Sequence, residues 1–141
     1  MSSTRRILVL GICSAVLAGC ADSPEVLTDR DWPLTFSADD VGERFTLQGA
    51  VLSYEDGSDV IDVCYSVEEI DLEADDLLTK CGPVDLYVPL PAGFDFEAEG
   101  FERKEPESDI LPHGWDRVAD ATIEITSSDG EIPLARIIEL K

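Results

Sequence analysis

Alternation of apolar and polar residues at period two is the feature that most constrains the fold of this chain. It recurs in five runs: 45–52, 61–65, 84–90, 121–125 and 132–140. Successive side chains of a strand point to opposite faces, so such runs are typical of strands with one buried face. The sequence therefore predicts a mainly β domain. In the first run, one mostly apolar face would comprise Phe45, Leu47, Gly49 and Val51.

Two Asp-Gly pairs predict hairpins between these runs. Asp56-Gly57 separates the first two runs, and Asp129-Gly130 separates the last two. Asp-Gly is favoured in tight hairpin turns, which need positive φ. The chain is therefore predicted to end in a hairpin. Its second strand would carry four apolar residues at period two: Ile132, Leu134, Ile138 and Leu140.

Residues 66–80 fit two structures. Ser66 and Glu69 have the spacing of a capping box, an apolar helical stripe follows, and Gly82-Pro83 would stop the helix. The alternation of Ile70, Leu72 and Ala74 also fits a strand. Both structures remain open, and one short helix is favoured.

The order of the five runs, with a long first strand and an excursion in the middle, resembles the oligonucleotide/oligosaccharide-binding (OB) barrel. The resemblance covers residues 45–140 and rests on strand order. It implies a small five-stranded antiparallel Greek-key barrel. A small sandwich and an open α+β sheet also fit the strand pattern.

The N-terminus has the pattern of a secretory signal. Arg5 and Arg6 precede eleven uncharged, mostly apolar residues, 7–17, and small residues follow. Such a run covers only about half of a bilayer's hydrocarbon core, so it does not predict a spanning helix.

Leu17-Ala18-Gly19-Cys20 resembles the lipobox of bacterial lipoproteins. The resemblance implies removal of 1–19, a diacylglycerol on the thiol of Cys20 and acyl chains that hold the protein to a membrane. Residues 20–32 would then be a tether, and 33–141 one β-rich domain. Ala21 is not the aspartate that retains such proteins at the inner membrane, which favours the outer membrane in cells with two membranes. In cells with one membrane, the outer face of that membrane is implied.

The implied processing decides which cysteines remain available for a disulfide. Cys13 leaves with the signal and Cys20 takes the lipid, so Cys64 and Cys81 are the remaining pair. In an oxidising compartment they are predicted to form a disulfide.

The charge balance restricts the partners. The chain has 31 acidic and 10 basic residues and a net charge of −21. Binding phosphate backbones needs Lys and Arg, so nucleic acid is excluded as a partner. The same charge repels anionic lipid, which leaves the acyl chains as the attachment. The acids are spread along the chain, which favours a solvated surface over a divalent-cation site.

No catalytic constellation, metal cluster or cofactor motif stands out in the sequence. The one histidine, His113, lies in a turn-like string, and neither a nucleophile elbow nor a phosphate-binding glycine loop is present. A concave pocket in which His113 meets two carboxylates would instead favour an enzyme.

The longest loop, 93–115, is the candidate binding surface. Its four aromatic residues would either cover one end of the core or form a ligand platform: Phe94, Phe96, Phe101 and Trp115. The sequence therefore predicts a binding or structural component of the cell envelope that is not an enzyme and whose partner is an unknown protein or envelope component. The alternative is a cation-dependent binder or enzyme that uses acidic loop residues.

Overall fold

The computed structural model describes residues 23–68 and 76–141. The predicted signal segment 1–19, the lipidation site Cys20 and the centre of the predicted helix lie outside these residues. The fold is mainly β, with seven strands in the described part. They are β1 (Glu25–Leu27), β2 (Arg44–Glu55), β3 (Val60–Cys64), β4 (Leu86–Pro89), β5 (Glu102–Lys104), β6 (Gly114–Ser127) and β7 (Leu134–Leu140).

Five of these strands close into a barrel. The order is β2-β3-β4-β7-β6, and β6 pairs back with β2. Every pairing in this ring is antiparallel except the one between β4 and β7, which is parallel. The predicted small five-stranded barrel is therefore confirmed, and the parallel pair of β4 and β7 departs from the antiparallel pairing predicted throughout. The strands β1 and β5 lie outside this ring, where β1 pairs with β2 and β5 pairs with β6.

A bulge at Gly49 exchanges the inward and outward positions in the part of β2 that follows it. Gly49 has a φ of 67°, a value that glycine adopts without strain, and the register with β6 shifts between Leu47 and Ala50. Ala50 and Leu52 consequently point inward and are fully buried. The prediction that Val51 shares a face with Leu47 is therefore wrong, because the extra residue changes the parity of the alternation.

The last strand is also irregular. Its pairing with β6 shifts twice, between Thr122 and Ile123 and between Ile125 and Ser127. Ala135 is fully buried, and Ile137 and Leu140 pack against the core. The predicted grouping of Leu134 and Ile138 with Leu140 is wrong because it assumes a regular strand.

The folded part begins earlier than the predicted boundary at residue 33. β1 pairs in parallel with the start of β2, and Leu27 is buried in the core. The hydroxyl oxygen of Tyr65 lies within hydrogen-bond distance of two carbonyl oxygens, those of Leu27 at 3.1 Å and Gln48 at 2.9 Å. The segment predicted as a tether thus contributes a strand, because its apolar Leu27 has a place in the core.

The described ends of the predicted helix, 66–68 and 76–80, are not helical. Val67 forms an antiparallel bridge with Cys81, the amide of Glu68 donates to the carbonyl of Lys80, and Gly82 donates to Ser66. Pairing between the two ends replaces the local helical pattern here. Short 3₁₀ turns at Asp29–Asp31 and Ala38–Asp40 are the helical elements of the described residues. None of their helices has the length and apolar character needed to cross a membrane.

Candidate functional site

A disulfide closes the excursion between β3 and β4. Cys64 and Cys81 are bonded, with 5.8 Å between their Cα atoms and a sequence separation of 17. Both are buried outside the hydrophobic cluster that fills the barrel. Cys64 lies on the outward face of β3, since it pairs with the outward Val51. The predicted pairing is confirmed, and it fastens the excursion to the outer wall.

The C-terminal arm of this excursion, residues 76–82, is called the strap below. Its Leu78 is buried, and the amide of Thr79 donates to a carboxylate oxygen of Asp116 on β6 at 2.8 Å. The ammonium nitrogen of Lys80 lies 3.3 Å from a carboxylate oxygen of Glu55 at the end of β2. The strap therefore places the ammonium group of Lys80 beside the hairpin between β2 and β3.

The four predicted aromatic residues come together in one cluster. The Phe96 ring stacks on Trp115 with centroids 5.7 Å apart, and its edge contacts with Phe94 and Phe101 are 4.9 and 5.2 Å. Tyr54, which sequence reasoning missed, lies 4.7 Å from Phe96. Tyr54 and Trp115 are cross-strand partners on β2 and β6, a pairing that only the register reveals.

This aromatic cluster packs as a lid on the barrel. Phe101 is buried, and the other three predicted rings are half-buried against the core. The guanidinium of Arg103 lies over Trp115, 5.4 Å from the ring centroid. No predicted aromatic ring is fully exposed, so the arrangement resembles a core cover more than an open platform.

Beside the lid lies an open groove of about 520 Å³. Three separate segments supply its walls: Glu55 and Asp56 from the hairpin, Lys80 from the strap, and 109–113 from the loop before β6. The amide of Asp56 donates to the carbonyl of His113 at 2.9 Å and so ties the loop to the hairpin. Ile110 in this wall is 93% exposed.

Two of the groove's carboxylates are already paired. Arg103 holds Asp56 with two hydrogen bonds of 2.7 Å, and Lys80 pairs with Glu55. The hydrogen bond from Arg103 keeps the pKa of Asp56 below its ordinary value. Asp109 makes no ion pair with any residue that the structure describes. The pKa of Asp62, on the neighbouring outer wall, is raised mainly by desolvation.

We expect the carboxyl of Asp56 to titrate below the ordinary value of 3.8 when followed by NMR. Replacing Arg103 with Gln should raise this pKa, because the bidentate hydrogen bond favours the charged carboxylate. A folded-state pKa below the unfolded one stabilises the protein above the ordinary pKa, and this contribution is lost as the pH falls through the lowered value. Glu124 is the control. Its pKa is lowered by Arg136 and Arg44 and should therefore stay unchanged in the Arg103→Gln variant. An Asp56 pKa unchanged by Arg103→Gln would contradict the assignment.

The groove also contains His113, which the sequence places in a turn. It shares the groove with the carboxylates of Glu55, Asp56 and Asp109. Within the described ranges, no three His, Cys, Asp or Glu side chains are grouped so as to hold a metal ion. The described lining residues include no hydroxyl or thiol side chain. The arrangement therefore has the means to bind a polar or cationic group, and its carboxylates, lysine and imidazole are the reactive groups among the described lining residues.

No protein-family profile matches this chain, and no curated protein or solved structure is significantly similar to it.

Proposed function

We propose that this chain is a lipid-anchored, extracytoplasmic binding component of the cell envelope, held by acyl chains on Cys20. The lipobox-like tetrad at 17–20 and the basic, then apolar segment before it support the address. The Cys64–Cys81 disulfide agrees with an oxidising compartment.

The observation that carries a binding function is the groove beside the β2–β3 hairpin. A closed barrel, a disulfide-fastened strap and an aromatic lid hold its three walls. Loops on a rigid scaffold are where small β domains commonly bind partners. The volume of the groove lies in the ordinary range for ligand sites.

Two experiments in the native host test the proposal, one of the lipid anchor and one of binding. Mass spectrometry of the membrane fraction should find an acylated Cys20 at the N-terminus, and Cys20→Ser should abolish this species. A photoreactive residue in place of Ile110 should cross-link one envelope component reproducibly, whereas the same residue in place of Glu131, in the C-terminal hairpin turn, should not. An unprocessed N-terminus would contradict the address. Equal cross-linking from both positions would contradict the binding function.

A second candidate is an enzyme that uses the groove carboxylates with His113 as an acid–base pair. The observation in its favour is that His113 shares a concave groove with Glu55 and Asp56. Asp56 is held by Arg103, however, and Glu55 by Lys80. Among the described residues, no hydrogen bond joins the imidazole of His113 to either of these carboxylates or to Asp109. Binding is therefore the function that we place first.

A further inference from the structure

We infer that the groove binds a segment of a partner protein that presents a basic side chain beside an apolar one. This inference rests on the proposed binding function and specifies the chemistry of the partner.

The charges of the lining favour a cation. Three carboxylates line the groove beside one lysine, Lys80. Arg103 pairs with Asp56 and Lys80 with Glu55, so the carboxylate of Asp109 carries the remaining negative charge. Asp109 has no ion pair with any described residue, so a basic side chain entering the groove would gain an unused carboxylate. The net charge of −21 adds a long-range field that attracts cationic segments and repels anionic ones.

The apolar wall favours a peptide over a bare ion. Ile110, Leu111 and Pro112 form a continuous apolar stretch in the loop wall. Ile110 is 93% exposed, the highest value among the exposed large apolar residues of the described ranges. An apolar side chain next to the basic one would remove this surface from water. The metal alternative lacks support, since the described acids are not grouped around one point.

Lys80 has a specific role in this arrangement. Its ammonium group pairs with Glu55 at 3.3 Å, and both side chains are partly exposed. The positive charge of Lys80 repels a basic ligand in the groove, and a ligand that reaches Glu55 competes with Lys80 for that carboxylate. Removing the lysine charge should strengthen binding, an effect opposite to that of most substitutions in a binding site.

The probe is a capped hexapeptide with arginine between two leucines, compared with the same peptide carrying glutamate. Binding is measured by NMR on the acylated protein in non-ionic detergent micelles. We expect the arginine peptide to bind preferentially and to shift the resonances of 109–113. Asp109→Asn should weaken this binding, and Lys80→Met should strengthen it, each by about two- to fivefold, the range of a partly exposed ion pair.

Matched variants separate local from general effects. Lys141→Met makes the same change in net charge at an exposed pair with Glu139, and it should leave the affinity unchanged. Equal binding of both peptides, no binding of either, or equal effects of Lys80→Met and Lys141→Met would overturn the inference. If the photoreactive residue at position 110 captures its envelope component while the two peptides bind equally or not at all, the proposed function stands and the basic-apolar specificity inferred here fails.

Discussion

Replacing Cys64 and Cys81 together with alanine should lower the melting temperature by roughly 10 °C. The bond closes a loop with a sequence separation of 17, and a loop of this length contributes on the order of 3 kcal/mol by restricting the unfolded chain. In a domain of this size, such a loss corresponds to a shift of about that many degrees. Differential scanning calorimetry of the two proteins measures it.

The control is a reducing agent. It should lower the melting temperature of the natural protein and leave that of the double variant unchanged. Two free thiols in the folded, unreduced natural protein would contradict the pairing. The barrel core is separate from the disulfide, so the far-ultraviolet circular dichroism of the variant should keep its β character at low temperature.

The disulfide also has a consequence for the groove. Lys80 directly precedes Cys81, and it is the strap's contribution to the groove wall. Loss of the bond removes one of several contacts that hold the strap, which also include the burial of Leu78, the amide of Thr79 on Asp116 and the backbone pairing with 66–68. We therefore expect the Lys80–Glu55 pair to weaken in the alanine variant.

Gly114→Ala should destabilise the fold by about 3 kcal/mol or more, as expected when a side chain is forced into a site with no room. A Cβ at this position would overlap the carbonyl oxygen of Tyr54, and it would lie 2.9 Å from that carbonyl carbon and 3.1 Å from the Cα of Glu55. All three atoms belong to the backbone of β2. The strands β2 and β6 must therefore separate, because no side chain can move aside.

Gly130→Ala is the matched control. Its Cβ would meet nothing closer than 3.5 Å, and its φ is not in the left-handed region. Urea unfolding should show a strongly lowered midpoint for Gly114→Ala and a midpoint close to that of the natural protein for Gly130→Ala. Equal midpoints for the two variants would show that the β2–β6 contact is looser than the structure indicates.

The strands and the disulfide were predictable because their signals are local or compositional. Alternation over residues such as Ile123 and Ile125 reports a strand with one buried face. Two cysteines left after the implied processing permit one pairing. The order of the predicted strands restricted the possible topologies, and the closed five-stranded barrel of the structure agrees with that order.

The faces of two strands were not predictable in full. A bulge adds one residue and reverses the parity of every position beyond it, so Ala50 rather than Val51 turns inward. Gly49 marks the place in the sequence. A glycine within a strand often marks a bulge, so Gly49 indicates where the alternation can change parity.

Residues 66–82 illustrate competition between local helical preference and contacts between residues that are distant in sequence. The spacing of Ser66 and Glu69 fits a helix start, yet the described ends of this segment pair with each other across the disulfide. At these described ends, backbone hydrogen bonds and the covalent bond outweigh local helical preference, which is a weak influence on a short segment.

The sequence by itself determined the β class, the five strands of the barrel, the cysteine pair and the acidic charge, because each depends on residues that are near one another or on totals. The groove is different. Its walls come from 55–56, Lys80 and 109–113. The closure of β2 on β6, the disulfide and the backbone hydrogen bond from Asp56 to His113 hold these segments in place. Contacts between such distant residues depend on how the barrel closes and on strand register, so the groove emerged only in the folded chain.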